Sequence, residues 1–169
     1  MQRWLFRREL ERLAGAPVFY LDGCGVDHRR HRERGRAPRG ERIYQEVSGA
    51  WRQRTSVIAA AQQGRLVAPL VFQGGCNTGV VDIYFQAVLL PVLPPGSVIV
   101  LDNARFHQAA TTRKLVEQAG CHLLYLPPYS PDLNPIEHLW AALKTRRRQN
   151  LPTAADPFLF IANMCQCYC

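Results

Sequence analysis

No stretch of this chain is apolar enough for long enough to cross a bilayer. The longest candidate, Val80–Val92, is broken by Asp82 and Gln86, whereas a spanning helix needs about 20 predominantly apolar residues. The opening MQRWLFRREL contains no apolar core of the kind a secretory signal carries, so the expected compartment is the cytoplasm, away from membranes. There is no Walker-type phosphate loop and no G-x-G-x-x-G; Gly74-Gly75 alone is not one. A G-x-S-x-G elbow is also missing, so Ser130 and His138 lack the frame that a nucleophile and its base require. No internal repeat is found. Cysteines are present, but without zinc spacing. Cys165, Cys167 and Cys169 form a C-x-C-x-C tail with no second Cys or His pair after it. Cys24, Cys76 and Cys121 stand apart in apolar or glycine-rich settings and read as buried free thiols.

Lysine is nearly missing too, and this turns attention to what is there. Only Lys114 and Lys144 are lysines among 21 basic residues, and the formal net charge is +8. Arginine is always charged and forks onto phosphate, so the balance suits a polyanion, most simply nucleic acid, with a merely solvated basic surface as the competing reading. Between Arg29 and Arg42 the chain carries Arg29, Arg30, Arg32, Arg34, Arg36, Arg39 and Arg42 against Glu33 and Glu41. Gly35, Pro38 and Gly40 punctuate the run, which therefore reads as a basic hairpin arm or loop inside a domain rather than a helix.

With 169 residues, 47% of them apolar, the chain suffices for one domain and a short appendage. Residues 1–15 read as an N-terminal helix or linker remnant, 16–150 as the main domain, and 151–169 as a C-terminal helix with the cysteine-rich tail. The main domain opens on a strand over Pro17–Gly23. Strands are expected over Ile43–Trp51, Arg54–Gln62 and Leu66–Gln73, with a turn at Gln63-Gly64. Thr78–Leu93 has helical periodicity, with Val81, Tyr84, Phe85, Val88 and Leu89 on one side, and Pro94-Pro95-Gly96 stops it. A buried strand over Ser97–Leu101, a helix over Gln108–Ala119 and a strand over Cys121–Leu126 follow. A helix then begins at Pro135, and a last short one covers Pro157–Met164. Antiparallel strands first, then strands alternating with helices, give an α/β domain with a mixed sheet flanked by helices.

Three carboxylates fall at telling places. Asp22 closes the first strand, Asp102 closes the buried strand, and Glu137 lies in the first turn of a helix, with 34 residues between it and Asp102. Oxygen ligands on rigid elements suit a hard divalent cation. Structural roles compete. Asn134 at the N-cap, Pro135 at the first helical position and Glu137 at N3 make a capping-box pattern. Asp102 and Asn103 could bond the following turn. His107 could orient a ligand, contact DNA or bond a helix end. Asp27 and Asp132 read as an exposed ion pair and a turn residue. The helix itself bears on Glu137. Ile136, Leu139, Trp140 and Leu143 form its buried stripe, while Glu137 aligns with Ala141, Lys144 and Arg148 on another face.

Three motifs together, FYLDGCGVD, VIVLDNARFH and LPPYSPDLNPIEHLWAALK, resemble the catalytic domain of mariner-like transposases, in particular the bacterial insertion-sequence branch. The RGRAPRGER segment resembles that branch as well, and the similarity runs from about Ala16 to Arg148. It implies a ribonuclease H-like fold over residues 16–150 and an Asp, Asp, Glu triad at Asp22, Asp102 and Glu137, with Asn103, His107 and Asn134 in support. It also implies two Mg2+ or Mn2+ ions, DNA cleavage at element ends and strand transfer into target DNA. Double-stranded DNA would be held by the arginine arm and by Lys144 and Arg148. The family often has an acidic residue after the first aspartate, where this chain has Gly23. Members usually carry N-terminal helix-turn-helix modules, so a separate recognition module or chain is expected, and a homodimer when active. Two alternatives stay open: a nuclease of the same fold that only hydrolyses, and an inactive remnant that only binds DNA.

Overall fold

The structure, a computed structural model, describes residues 2–26, 36–42, 44, 54–103, 110–150 and 157–168, and of residues 26, 148, 150 and 157 the backbone alone. Asp27, Arg29 to Arg34, His107 and the side chain of Arg148 lie outside this set. So does the expected strand Ile43–Trp51 except Tyr44, which is in no regular element.

The elements are α1 (Gln2–Arg12), β1 (Val18–Val26), β2 (Thr55–Gln62), β3 (Arg65–Gln73), α2 (Thr78–Ile83), β4 (Val98–Leu101), α3 (Ala110–Gln118), β5 (His122–Tyr125), α4 (Ile136–Asn150) and α5 (Pro157–Cys167). The strands form one sheet in the order β3-β2-β1-β4-β5. β3, β2 and β1 pair antiparallel, and β1, β4 and β5 pair parallel. This is the mixed sheet expected from the order of elements.

Apolar side chains alternate through the sheet because a strand has period two. Phe19, Leu21, Ile99 and Leu101 meet Tyr84, Phe85, Leu89 and Val116 on one face. On the other, Cys24, Val57 and Ala59 meet Ile136, Trp140 and Leu143 of α4 and Ile161 of α5. Beside them, Val98, Val100 and Leu126 meet Phe6 of α1. Each such fully buried large side chain stabilises by about 1.5–3 kcal/mol. β2 is covered on both faces, so every residue from Thr55 to Ala61 is buried and the strand reads as a continuous apolar run.

Local chemistry sets the connections. Gln63 (φ 50°) and Gly64 (φ 78°) are both left-handed, as a two-residue turn between right-twisting strands requires. Opposite Ala59 the β2–β3 ladder slips, since Ile58 pairs with Leu70 and Ala60 with Val67. The extra residue is a bulge at Ala68 (φ 52°) and Pro69, and edge strands tolerate proline at such points.

Two expectations need correction. The first strand does not end at Asp22; β1 continues to Val26, and beyond Leu21 it is paired, among the described residues, with β2 alone. The helix over Thr78–Leu93 is not uniform either. Its α-helical start, capped by the Asn77 side chain, passes into a π-turn over Tyr84–Leu89 and a 3-10 turn over Leu90–Val92. Leu90 N–H reaches back to Phe85 O. Pro91 has no N–H and its ring crowds the turn before it, so α geometry fails there. Among the described residues no helix is long and apolar enough to cross a membrane.

Candidate active site

Leu21 of β1 pairs in parallel with Leu101 of β4. The residue that follows each of them in the chain is an aspartate. Neighbouring strands lie about 4.7–4.9 Å apart, so Asp22 and Asp102 come out side by side where the parallel ladder ends. Leu126 N–H still bonds Leu101 O at 2.9 Å, which keeps the chain on course up to Asp102. Alternation turns both aspartates toward the face that carries Cys24 and Val100, the side covered by α4 and α1. Across β1, Asp22 pairs with Ala59, whose small side chain leaves room beside the carboxylate.

α4 supplies the third acid. Ile136 and Trp140 are fully buried in the same cluster, and Glu137 lies exposed between them at the helix start. The capping box expected around it is not formed. Asn134 N–H bonds Pro131 O at 2.9 Å, and Glu137 N–H goes to the backbone O of Asn134 at 3.3 Å. The Asn134 side-chain oxygen is buried and makes no hydrogen bond among the described residues.

Asp22 is the most constrained of the three. Gly23 N–H donates to its Oδ1 at 2.7 Å, and the Trp140 indole N–H donates to its Oδ2 at 3.1 Å. Burial pushes its carboxyl up from 3.8 to about 6, and the charges of Glu137 and Asp102 push the same way, against the two hydrogen bonds. The three acids thus lie within electrostatic reach of one another. Among the described residues, no three His, Cys, Asp or Glu side chains are grouped closely enough to hold a metal ion.

The other expected residues distribute as follows. Asn103 is exposed beside Asp102 and lines an open groove of about 660 Å3 with Arg8 and Arg12 of α1, Tyr125 and Pro127. Arg36, Arg39 and Arg42 are exposed. Lys144 is exposed too, and its charge opposes the rise that burial imposes on the Cys24 thiol of β1. Asp132 does more than serve a turn: it takes a two-point ion pair from Arg3 of α1, which holds its carboxyl below the usual range. Trp140 was legible only as part of the buried stripe. The available signal was chemical, because a buried indole N–H must find an acceptor.

A family model described as DDE superfamily endonuclease matches residues 17–156. Over 51 residues the chain is 45% identical to the Transposable element Tc1 transposase of Caenorhabditis elegans, covering 30% of this chain and 19% of that protein. Among solved structures it is similar to the Mos1 Strand Transfer Complex, with 17% identity and a TM-score of 0.62 over 96% of this chain and 55% of that one. It is also similar to the Mos1 mariner paired end complex with Mn, with 16% identity and a TM-score of 0.62 over 99% and 58%. The chain spans less than two thirds of the length of these relatives. The structural likeness shows the fold, which is the ribonuclease H-like one.

Proposed function

This chain belongs to the DDE superfamily endonucleases, and from that premise we propose that it is the catalytic domain of a DNA transposase, cutting DNA at element ends and transferring strands. The observation that carries the proposal is the pairing of Leu21 with Leu101, which brings Asp22 and Asp102 out together within the field of Glu137. Proposed as the catalytic and metal-holding groups are Asp22, Asp102 and Glu137.

A hard divalent cation fits this donor set. All three groups offer oxygen only, and burial together with the two acidic neighbours raises the Asp22 carboxyl, a cost to its charged form that a bound cation relieves. Glu137, exposed at the helix start, has the rotamer freedom to turn toward the pair. We propose Mg2+ or Mn2+, two ions in number. Bound there, they supply acidification of a nucleophilic water or 3′-hydroxyl and stabilisation of the leaving oxygen. The chain's own part is to hold Asp22 in one orientation, to set Asp102 beside it, and to bring Glu137 within the field of Asp22.

The proposed partner is double-stranded DNA, gripped through backbone phosphates by the arginines from Arg29 to Arg42 and by Lys144 and Arg148. Such contacts carry no sequence information. Reading of element ends therefore belongs to a separate helix-turn-helix module or chain, and we propose a homodimer as the active form. Asn103, His107 and Asn134 are proposed in support. Residues 16–150 would be the working unit, with 1–15 and 151–169 as its flanks, in the cytoplasm where DNA is accessible.

The test is to incubate the chain with supercoiled plasmid and Mn2+. Nicked and joined products support the transposase reading. Nicking without joining replaces it with a nuclease, and DNA binding without metal-dependent cleavage replaces it with a binding remnant.

A further inference from the structure

Trp140 is 1% exposed and packs with Ile136, Leu143, Cys24 and Ala59, which by itself describes an ordinary core residue. Its polar atom is what sets it apart. Indole N–H is a donor only, and here it ends on the Oδ2 of Asp22. The other oxygen of that carboxylate is held by Gly23 N–H. One donor comes from the strand and one from the helix, each on a different oxygen, so the plane of the carboxylate is fixed. Each oxygen keeps lone-pair capacity for a further partner.

We infer that Trp140 is a positioning residue: its indole N–H orients the Asp22 carboxylate for a divalent cation and ties the helix bearing Glu137 to the strand bearing Asp22. The inference rests on the proposed reading of the site. Its physical basis is general. Ligating carboxylates are held by hydrogen bonds from residues that do not touch the ion, and losing such a bond costs about 10–100-fold in metal affinity or activity. Trp140 lies three residues beyond Glu137, nearly one helical turn, so the same bond also fixes the rotation of α4 about its axis.

Trp140→Phe keeps an aromatic ring in the core and removes the N–H. Binding of Mn2+ to the free chain, followed by electron paramagnetic resonance of the unbound ion, is compared for the parent, Trp140→Phe and Asp22→Ala, with thermal melts to verify folding. Expected is loss of binding in Asp22→Ala and about 10–100-fold weaker binding in Trp140→Phe. A core residue alone would lower the melting temperature and leave Mn2+ affinity unchanged. Affinity within twofold of the parent in a folded Trp140→Phe overturns the inference while leaving the site standing. Equal Mn2+ binding by the parent and Asp22→Ala, or none by the parent, overturns the site and the inference together. Should Trp140→Phe not fold, the Trp140 indole 15N–1H resonance of the parent, assigned through Trp4→Phe and Trp51→Phe, is followed during a Mg2+ titration. Movement with saturation supports the bond's role, and a static resonance refutes it.

Discussion

Asp22 and Trp140 are 118 positions apart and share one hydrogen bond, indole N–H to carboxylate Oδ2, at 3.1 Å. The bond joins the centre of the sheet to the first turns of α4. It also joins an ionisable group to a buried cluster, and the consequences for stability and for activity have opposite signs.

Take stability first. Asp22 has its carboxyl raised from 3.8 to about 6, by burial above all. The native state therefore holds a proton that the unfolded state releases between these values. Stability falls as pH rises through that window, by about 3 kcal/mol in full. Asp22→Asn removes this penalty. An amide oxygen can accept only one of the two hydrogen bonds, which returns about 1–1.5 kcal/mol. Asp22→Asn should thus be more stable than the parent by about 1.5–2 kcal/mol at pH 7.5 without metal, and less stable by about 1–1.5 kcal/mol near pH 4, where only the lost hydrogen bond remains. Thermal melts across pH 4–8 check it, and a constant difference would refute the assignment of the shift to Asp22. Saturating Mg2+ should stabilise the parent and not the variant.

The second expectation concerns chemistry. Asp102→Ala and Glu137→Ala each remove an oxygen donor while leaving the arginine-rich surface untouched. Plasmid cleavage with Mn2+ should fall by about 1,000-fold or more, which is several kcal/mol of transition-state stabilisation. DNA affinity should stay within about twofold, since phosphate contacts dominate it. Loss of DNA binding by a folded Asp102→Ala would place that residue in the wrong role.

A third expectation addresses the basic arm. Arg36, Arg39 and Arg42 are exposed. If each meets a phosphate, the triple alanine variant loses about 0.9 per contact from the slope of log affinity against log salt, or about 2–3 in all. Fluorescence anisotropy between about 50 and 200 mM salt, on two unrelated duplexes, measures this. The loss should be the same on both, because phosphate contacts do not read bases.

What the sequence made legible was whatever periodicity and punctuation carry. The buried run before Asp102, the Gln63-Gly64 turn and the α4 stripe all appear where they were expected, because each depends on neighbours within a few residues. Strand register depends on distant partners. Nothing near Asp22 tells that β1 runs on to Val26, since pairing with β2 decides it. The π-turn at Tyr84–Leu89 hides inside a period that still looks helical, with Pro91 as its local cause. The Asn134–Glu137 pattern matches a capping box letter for letter. It fails as one because both donors go elsewhere, the Asn134 N–H to Pro131 O and the Glu137 N–H to the backbone O of Asn134. The bond from Trp140 to Asp22 could not be read from spacing, because it crosses between two elements whose packing is set by the whole core.

The last expectation follows from Ala59. It is fully buried, pairs with Asp22 on one side and faces the Ala68 bulge on the other. A larger residue there has two places to go: toward α4, where Trp140 packs against it, or toward the Asp22 carboxylate. Overpacking a filled site costs about 1–3 kcal/mol, so Ala59→Val should lower stability by that much although Val favours strands more than Ala does. If the added methyls press on Trp140, the bond to Asp22 lengthens and Mn2+ affinity falls with stability. Ala60→Val, one residue on and turned to the opposite face, should cost similar stability and leave Mn2+ affinity unchanged. Thermal melts and Mn2+ titrations of the two variants separate the cases. Equal losses of affinity in both would mean that metal binding follows overall stability rather than the packing behind Asp22.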